Sequence, residues 1–272
     1  MSSVMYHTVK SLWIELLHGV SIKENDMDCA NQTIDRCSST NDLAKALAEK
    51  GFPHGTWVSA RIQEAGRGRL GRSWTSQEGN LFFSYVARVE ARERWSWIPL
   101  TVAVAIVKTL EEQFPSLEFK IKWPNDIYIL HKGVDAKLGG ILCEGASSTR
   151  AFVVVGVGLN CKCAPGLHVV GQRTIDLSSC LDGQLVVADD LRVPLIESLN
   201  TGFFRLITEG RDWVVREYER LSLYRPGVAV VWGSSNDEGA VLGLGESGEL
   251  LVRSATGEIH RIFSDEVRVR CL

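Results

Sequence analysis

The sequence contains no HExxH stretch and no CxxC pair, and its six histidines are scattered. The nearest approach to a metal motif, Cys161-Lys162-Cys163, is too short for a zinc knuckle, so no structural metal site is assigned. Seven cysteines, an odd number without paired spacing, read as reduced thiols in a cytoplasmic protein. No apolar run is long enough to span a membrane; even IPLTVAVAIVKTL is interrupted by Lys108. The opening MSSVMYHTVKSLWIELLHGV lacks the long apolar core and small-residue cleavage site of a signal peptide. A soluble chain with no membrane partner is expected. A basic excess is also missing. Thirty Lys and Arg stand against 33 Asp and Glu, and the net charge of −3 argues against a general nucleic-acid binder. Any positive patch must be local. Internal repeats and low-complexity tracts are absent as well.

What is present is ordinary in bulk. Of 272 residues, 45% are apolar and 23% charged, enough for a sizeable core in one large domain or a large and a small one. Residues 1–30 carry SLWIELL, which fits a short amphipathic helix, followed by a loose polar KENDMD. SSTNDLAKALAEKG reads as a helix capped by Ser39 or Thr40, with Leu43, Ala46 and Leu47 as its apolar positions and Gly51 as its stop. TWVSARIQ and NLFFSYVARV read as strands, and Pro99 opens a helix through IPLTVAVAIVKTLEEQF. Three strands, LEFKIKW, KLGGILCEG and AFVVVGVGLN, follow, punctuated by the turns PND and HKGVD. A long irregular loop covers 161–188. Two helices come next, the first bent or broken at Pro194. After Tyr224 the pattern turns to four or five short strands with glycine-rich turns, which suggests a small barrel.

Residues 64–74 read EAGRGRLGRSW. Glycine lets backbone N–H groups approach an anion, and arginine supplies planar charged forks suited to phosphate or carboxylate. Trp74 is placed to anchor the far end of this loop. A solvated basic loop fits the same composition. KWPND, residues 122–126, puts Asn125 and Asp126 at a strand-end turn. Asp126 is the kind of hard oxygen ligand that Mg²⁺ takes alongside nucleotide phosphates, although PND by itself is more often a plain turn. AKLGGIL sets Lys137 before two strand glycines, as a point charge for a carboxylate or phosphate oxygen or as an exposed edge lysine beside a bulge. SSTN offers hydroxyls and an amide at a helix start, for ligand or for capping. VGVGLN delivers Asn160 at a strand end, able to donate and accept.

GRGRLGRSW, KWPND, KLGGI and VGVGLN, in this order and spacing, resemble the biotin protein ligases over residues 31–272. The resemblance implies an α+β catalytic domain over 31–224, a class II synthetase-like mixed sheet with helices, and a C-terminal SH3-like β-barrel over 225–272. Residues 1–30 are left as an extension of unassigned role. It also implies a two-step reaction, in which biotin and ATP form biotinyl-5′-AMP and a carrier lysine then takes the biotinyl group.

By the same resemblance Ser39, Thr40, Asn41 and Gln63 contact biotin. Arg67, Gly68 and Arg69 close over biotin and the adenylate, and Lys137 meets the carboxyl and phosphate oxygens. Arg67, Arg69 and Lys137 form the catalytic set. Trp74, Asn125, Asp126 and Asn160 lie near the nucleotide, with Asp126 bearing on Mg²⁺. ATP with Mg²⁺ and biotin are reactants, with no prosthetic group. The expected partner is a biotin carboxyl carrier protein of acetyl-CoA carboxylase or another biotin-dependent carboxylase, and homodimerisation is common among relatives.

Many relatives carry a winged-helix domain ahead of the catalytic part. Only about thirty residues precede the match here, without a helix-turn-helix pattern, so no DNA partner is expected. Two rivals stand beside this reading. One is a lipoate or octanoate enzyme of the same fold, whose arginine–glycine signature is missing. The other is a non-enzymatic nucleic-acid module, for which aromatic platforms beside the arginines are missing.

Overall fold

The strand-forming segments assemble into two sheets in the computed structural model, which describes residues 31–146, 151–166, 172–263 and 267–269. The helix and polar stretch expected within residues 1–30 lie outside the described residues. The larger sheet has seven strands: β1 (Gln32–Cys37), β2 (Trp57–Gln63), β3 (Leu81–Ala87), β4 (Glu118–Lys122), β5 (Asp126–His131), β6 (Val134–Ala146) and β7 (Phe152–Leu159). Their order is β1-β2-β3-β7-β6-β5-β4. Only β1 and β2 pair in parallel; the other neighbours are antiparallel, so the sheet is mixed.

Two of these strands were not expected. β1 is an edge strand with mostly polar, exposed residues, so its apolar alternation is weak. β5, DIYILH, lies between two strong turn signals, although its Ile127 and Ile129 are fully buried.

Alternation along the strands separates two faces. Phe83, Tyr85, Val153, Val155 and Val157 point into the main core. That face is covered by α2 (Ile98–Gln113), α4 (Ala188–Thr208) and α5 (Asp212–Leu221). Buried residues run all round α2, as a helix sunk between sheet and helices requires. Of the expected bend or break at Pro194 the break does not occur, since α4 continues through it as one helix. The stretch 161–188 is not wholly irregular, because α3 (Leu177–Cys180) is capped by Asp176, whose Oδ1 accepts from Ser179 N.

On the opposite face α1 (Thr40–Glu49) lays Ala44 and Ala48 on Val58, Val86, Phe152 and Val154. The helix is turned so that Asn41, Ala44 and Leu47 face inward while Leu43 and Ala46 are exposed. Its polar start, and not Leu43, is thereby pressed against the sheet. That rotation positions the site described below.

β8 (Ala229–Trp232), β9 (Asp237–Leu244), β10 (Leu250–Ser254), β11 (Ile259–Ile262) and β12 (Val267–Val269) form an antiparallel sheet of order β11-β10-β9-β8-β12. Among the described residues this sheet is open, with β11 and β12 at its edges. Its Val230, Trp232, Val241, Leu250 and Val252 belong to the same core as the larger sheet. Trp123 Nε1 donates to Gly248 O at 2.9 Å, which fastens the two together. No helix among the described residues is long and apolar enough to cross a membrane.

Behind the sheet, His54 is buried with Nδ1 accepting from Arg88 N at 3.1 Å and Nε2 2.7 Å from Tyr85 Oη, which donates to Asn200 Oδ1 at 2.7 Å. Burial first, and the nearby Arg88 charge second, push its pKa from 6.5 down to about 3. Between those values the unfolded chain holds a proton that the folded chain refuses, so stability falls as pH drops below about 6.5. His54 is expected to remove about 2 kcal/mol by pH 5. Urea denaturation at pH 7.5 and pH 5 should show that loss in the parent and lack it in His54→Gln; equal losses would contradict the assignment.

Candidate active site

The floor of the site is a gap in the side-chain layer on the α1 face of the larger sheet. Register aligns Phe82, Gly158, Gly140 and Asp126 across four strands, and Ser84, Gly156 and Leu142 across three. The central glycines leave the sheet low between walls of longer side chains. Each gap has an occupant: a Cβ on Gly156 would stand 2.2 Å from Asn41 Oδ1, and one on Gly158 would stand 2.6 Å from the Trp74 ring. The result is a cavity of about 390 Å³. All twelve residues singled out from the sequence line it: Ser39, Thr40, Asn41, Gln63, Arg67, Gly68, Arg69, Trp74, Asn125, Asp126, Lys137 and Asn160.

The flap over the cavity is a short hairpin. Trp74 N donates to Gly66 O at 2.8 Å and Gly68 N to Arg72 O at 2.7 Å. Leu70 and Gly71 turn the tip at φ of 57° and 72°. The N–H of Gly68 is used within the hairpin in this arrangement. Glycine at position 71 therefore serves the left-handed turn. The indole of Trp74 lies on the glycine floor, and its buried Nε1 has no hydrogen-bond partner among the described residues.

One end of the cavity is lined by uncharged polar groups, with the Arg67 guanidinium paired to Asp42 beside them. Ser39 makes no side-chain cap on α1; instead Thr40 N and Thr40 Oγ1 both donate to Gln63 Oε1, at 2.9 and 3.0 Å. Ser84 Oγ lies 2.7 Å from Thr40 Oγ1 and 2.6 Å from Asn41 Oδ1, so its single proton serves one of them. Asn41 Nδ2 donates to Glu144 Oε2 at 2.5 Å, which fixes which way the amide faces. Ser84 and Glu144 were not foreseen, because each reaches this cluster only through tertiary contact.

The other end is ionic. β6 bulges opposite Ile127 and Tyr128, where one residue of β5 meets an extra one at Leu138. The bulge sends Leu138 into the core, fully buried, and turns Lys137 to the same face as Gly140. Lys137 Nζ lies 2.8 Å from Asp126 Oδ1, with both side chains largely buried. It stands on an interior strand, not an edge. Arg69 Nη1 donates to Asn125 Oδ1 at 2.9 Å. Desolvation lowers the Arg69 pKa, with Asp126 opposing, so its charge is held at a cost that a bound anion would offset. Asn160 is buried, its Nδ2 donating to Ile175 O at 3.2 Å. Pro165, Gln172 and Thr174 complete this wall, and none was anticipated. Desolvation pushes the Cys143 thiol up to about 12, so it stays protonated at neutral pH.

The family model "Biotin/lipoate A/B protein ligase family" matches residues 33–160. The bifunctional ligase/repressor BirA of Bacillus subtilis is 31% identical over 247 residues, covering 86% of this chain and 72% of that protein. This chain belongs to the biotin/lipoate A/B protein ligase family. A biotin--[acetyl-CoA-carboxylase] ligase of Mycobacterium tuberculosis is 38% identical over 133 residues, covering 47% of each chain. Among solved structures, the biotin protein ligase of Aquifex aeolicus in complex with biotin and ATP superposes with a TM-score of 0.73 at 26% identity, covering 88% of this chain and 98% of that one. The family's α+β architecture, a mixed sheet with helices, is the one described above.

Because Asn41 sits where a Gly156 side chain would stand, Gly156→Ala should overpack the site and destabilise the fold by about 1–3 kcal/mol. Chemical denaturation reads this directly, and an unchanged midpoint would mean that Asn41 is not held against the floor.

Proposed function

We propose that this ligase-family chain activates biotin with ATP and transfers it to a lysine of a carrier protein. The supporting observation is the division of one cavity into an uncharged donor–acceptor end and a cationic end. A urea ring needs both donors and acceptors without charge, which Thr40, Asn41 and Gln63 supply together at the cavity wall. A carboxylate facing a phosphate needs cations, which Lys137 and Arg69 supply. In the first step the biotin carboxylate attacks the α-phosphorus of ATP, and the bond to the β-phosphate bridging oxygen breaks to release pyrophosphate. In the second, a carrier amine attacks the acyl carbon, loses a proton, and releases AMP. Lys137 acts by holding charge at the carboxylate–phosphate junction. The flap excludes water from the mixed anhydride and must lift to admit the acceptor lysine.

Mg²⁺ is tested by the donor set. Among the described residues no cluster of three or more His, Cys, Asp or Glu could hold a metal on its own. Asp126 is the one carboxylate among the cavity-lining residues, and its Oδ1 is engaged by Lys137. That fits an ion arriving on ATP phosphates and needing only one protein oxygen, with Asp126 Oδ2 to hold it. When bound, the ion neutralises phosphate charge. Asn125, Asn160 and the Trp74 indole are assigned to the nucleotide half.

We assign residues 31–224 to catalysis and 225–272 to an SH3-like accessory barrel. The acceptor is read as the biotin carboxyl carrier protein of acetyl-CoA carboxylase or of another biotin-dependent carboxylase. Five free thiols among the described residues support a reducing, cytoplasmic setting.

Biotin-dependent ATP–pyrophosphate exchange, with lipoate as the control, tests the activation step. Exchange with biotin alone is expected, and Lys137→Gln should reduce it by roughly a hundredfold, the scale of losing one preorganised charge donor. Arg69→Ala should release adenylate into solvent. Exchange with lipoate in place of biotin, or a fully active Lys137→Gln, would contradict the proposal.

A further inference from the structure

Two of the three motif arginines of the flap, Arg67 and Arg69, face in different directions, while Arg72 Nε donates to Arg69 O within the flap at 3.3 Å. Arg69 turns inward to Asn125. Arg67 instead forks onto the body of the protein: Nη1 lies 2.9 Å from Asp42 Oδ2, and Nη2 lies 2.6 Å from Asp42 Oδ1. Nη2 also approaches Glu144 Oε2 at 3.5 Å. Asp42 sits in the first turn of α1 and Glu144 on β6, and neither lines the cavity. The Arg67 charge is therefore already answered by two protein carboxylates. A guanidinium satisfied in this way is a poor receptor for a ligand anion but a good fastener for the segment that carries it.

We propose that Asp42 is a positioning residue: with Glu144 it latches Arg67 and keeps the flap seated over the bound acyl adenylate. This rests on the ligase reading above. The latch is wired to the ring end of the cavity, because the Glu144 oxygen that faces Arg67 also accepts from Asn41 Nδ2. Ring binding and flap seating thus share one carboxylate. The hydrogen bond from Arg67 also holds the Asp42 carboxyl below its usual range, so the latch carries its charge at neutral pH. Both partners remain partly exposed, with side chains 40% and 50% accessible. Such a pair is modest in strength and sensitive to salt, which suits a fastener that must release once per turnover.

The test is the release of pre-formed biotinyl-adenylate, chased after gel filtration in the absence of carrier. Asp42→Asn and Arg67→Gln should each speed release about three- to tenfold, and the double variant should be no faster than Arg67→Gln alone. Raising KCl from about 50 to about 500 mM should speed release from the parent and leave Arg67→Gln unmoved. That arm keeps the test sharp if Asp42→Asn folds poorly. Parent-like retention by a folded Asp42→Asn, additive effects in the double variant, or salt-insensitive release from the parent would each overturn the latch. A parent that forms no adenylate from biotin and ATP would overturn the ligase reading instead.

Discussion

The site depends on the placement of one ammonium group. Lys137 belongs to a strand that would, with regular alternation, send its side chain to the face opposite Gly140. A single-residue bulge reverses that, so Leu138 goes to the core and Lys137 to the cavity. The backbone of Lys137 is then held by the 172–175 segment, with its N–H on Arg173 O and its carbonyl on Ile175 N, each at 3.0 Å. Its head group meets Asp126 at 2.8 Å. A lysine so constrained has lost most of its side-chain freedom before ligand arrives, and in the proposed reaction its positive charge stands ready where charge would develop during acyl activation.

Around this group the glycines and the flap answer one geometric demand from two sides. Gly140, Gly156 and Gly158 lower the sheet, while Trp74 on the hairpin fills part of the space from above. The flap's backbone hydrogen bonds run within the hairpin, Arg67 reaches out to Asp42 and Arg69 turns in to Asn125, so it can seat or lift as a unit. Water exclusion and acceptor entry are incompatible for a fixed wall. A hairpin fastened at its ends by exposed ion pairs and a stacked indole reconciles them.

Much of this was legible in the sequence because the motifs are local. GRGRLGRSW is its own hairpin, KWPND ends one strand and begins another, and KLGGI contains the bulge. All three sit on the cavity, as does Asn160 at the end of β7. The less legible parts depend on distance. Ser84 lies mid-strand in an apolar run, and nothing in LFFSYVA marks it as the group that meets Thr40, 44 positions earlier. Glu144 and Asn41 are 103 positions apart. The rotation of α1 was misjudged for a related reason. Leu43 is the more apolar choice for the core, but the sheet's glycine gap accepts Asn41, and Leu43 is left exposed. β1 and β5 leave little trace in the sequence because an exposed edge strand alternates weakly and a strand between two turns is short.

The account turns on ligand orientation: ring at the Thr40–Asn41–Gln63 end, acyl–phosphate junction at Lys137. A crystal structure of this chain with a non-hydrolysable biotinyl-adenylate analogue measures that orientation directly. The account predicts ring nitrogens and oxygen hydrogen-bonded around Thr40, Asn41 and Gln63, with Lys137 Nζ within hydrogen-bond distance of the linkage oxygens. A ring bound at the Asp126 end, or a linkage that leaves Lys137 paired to Asp126 alone, would contradict it.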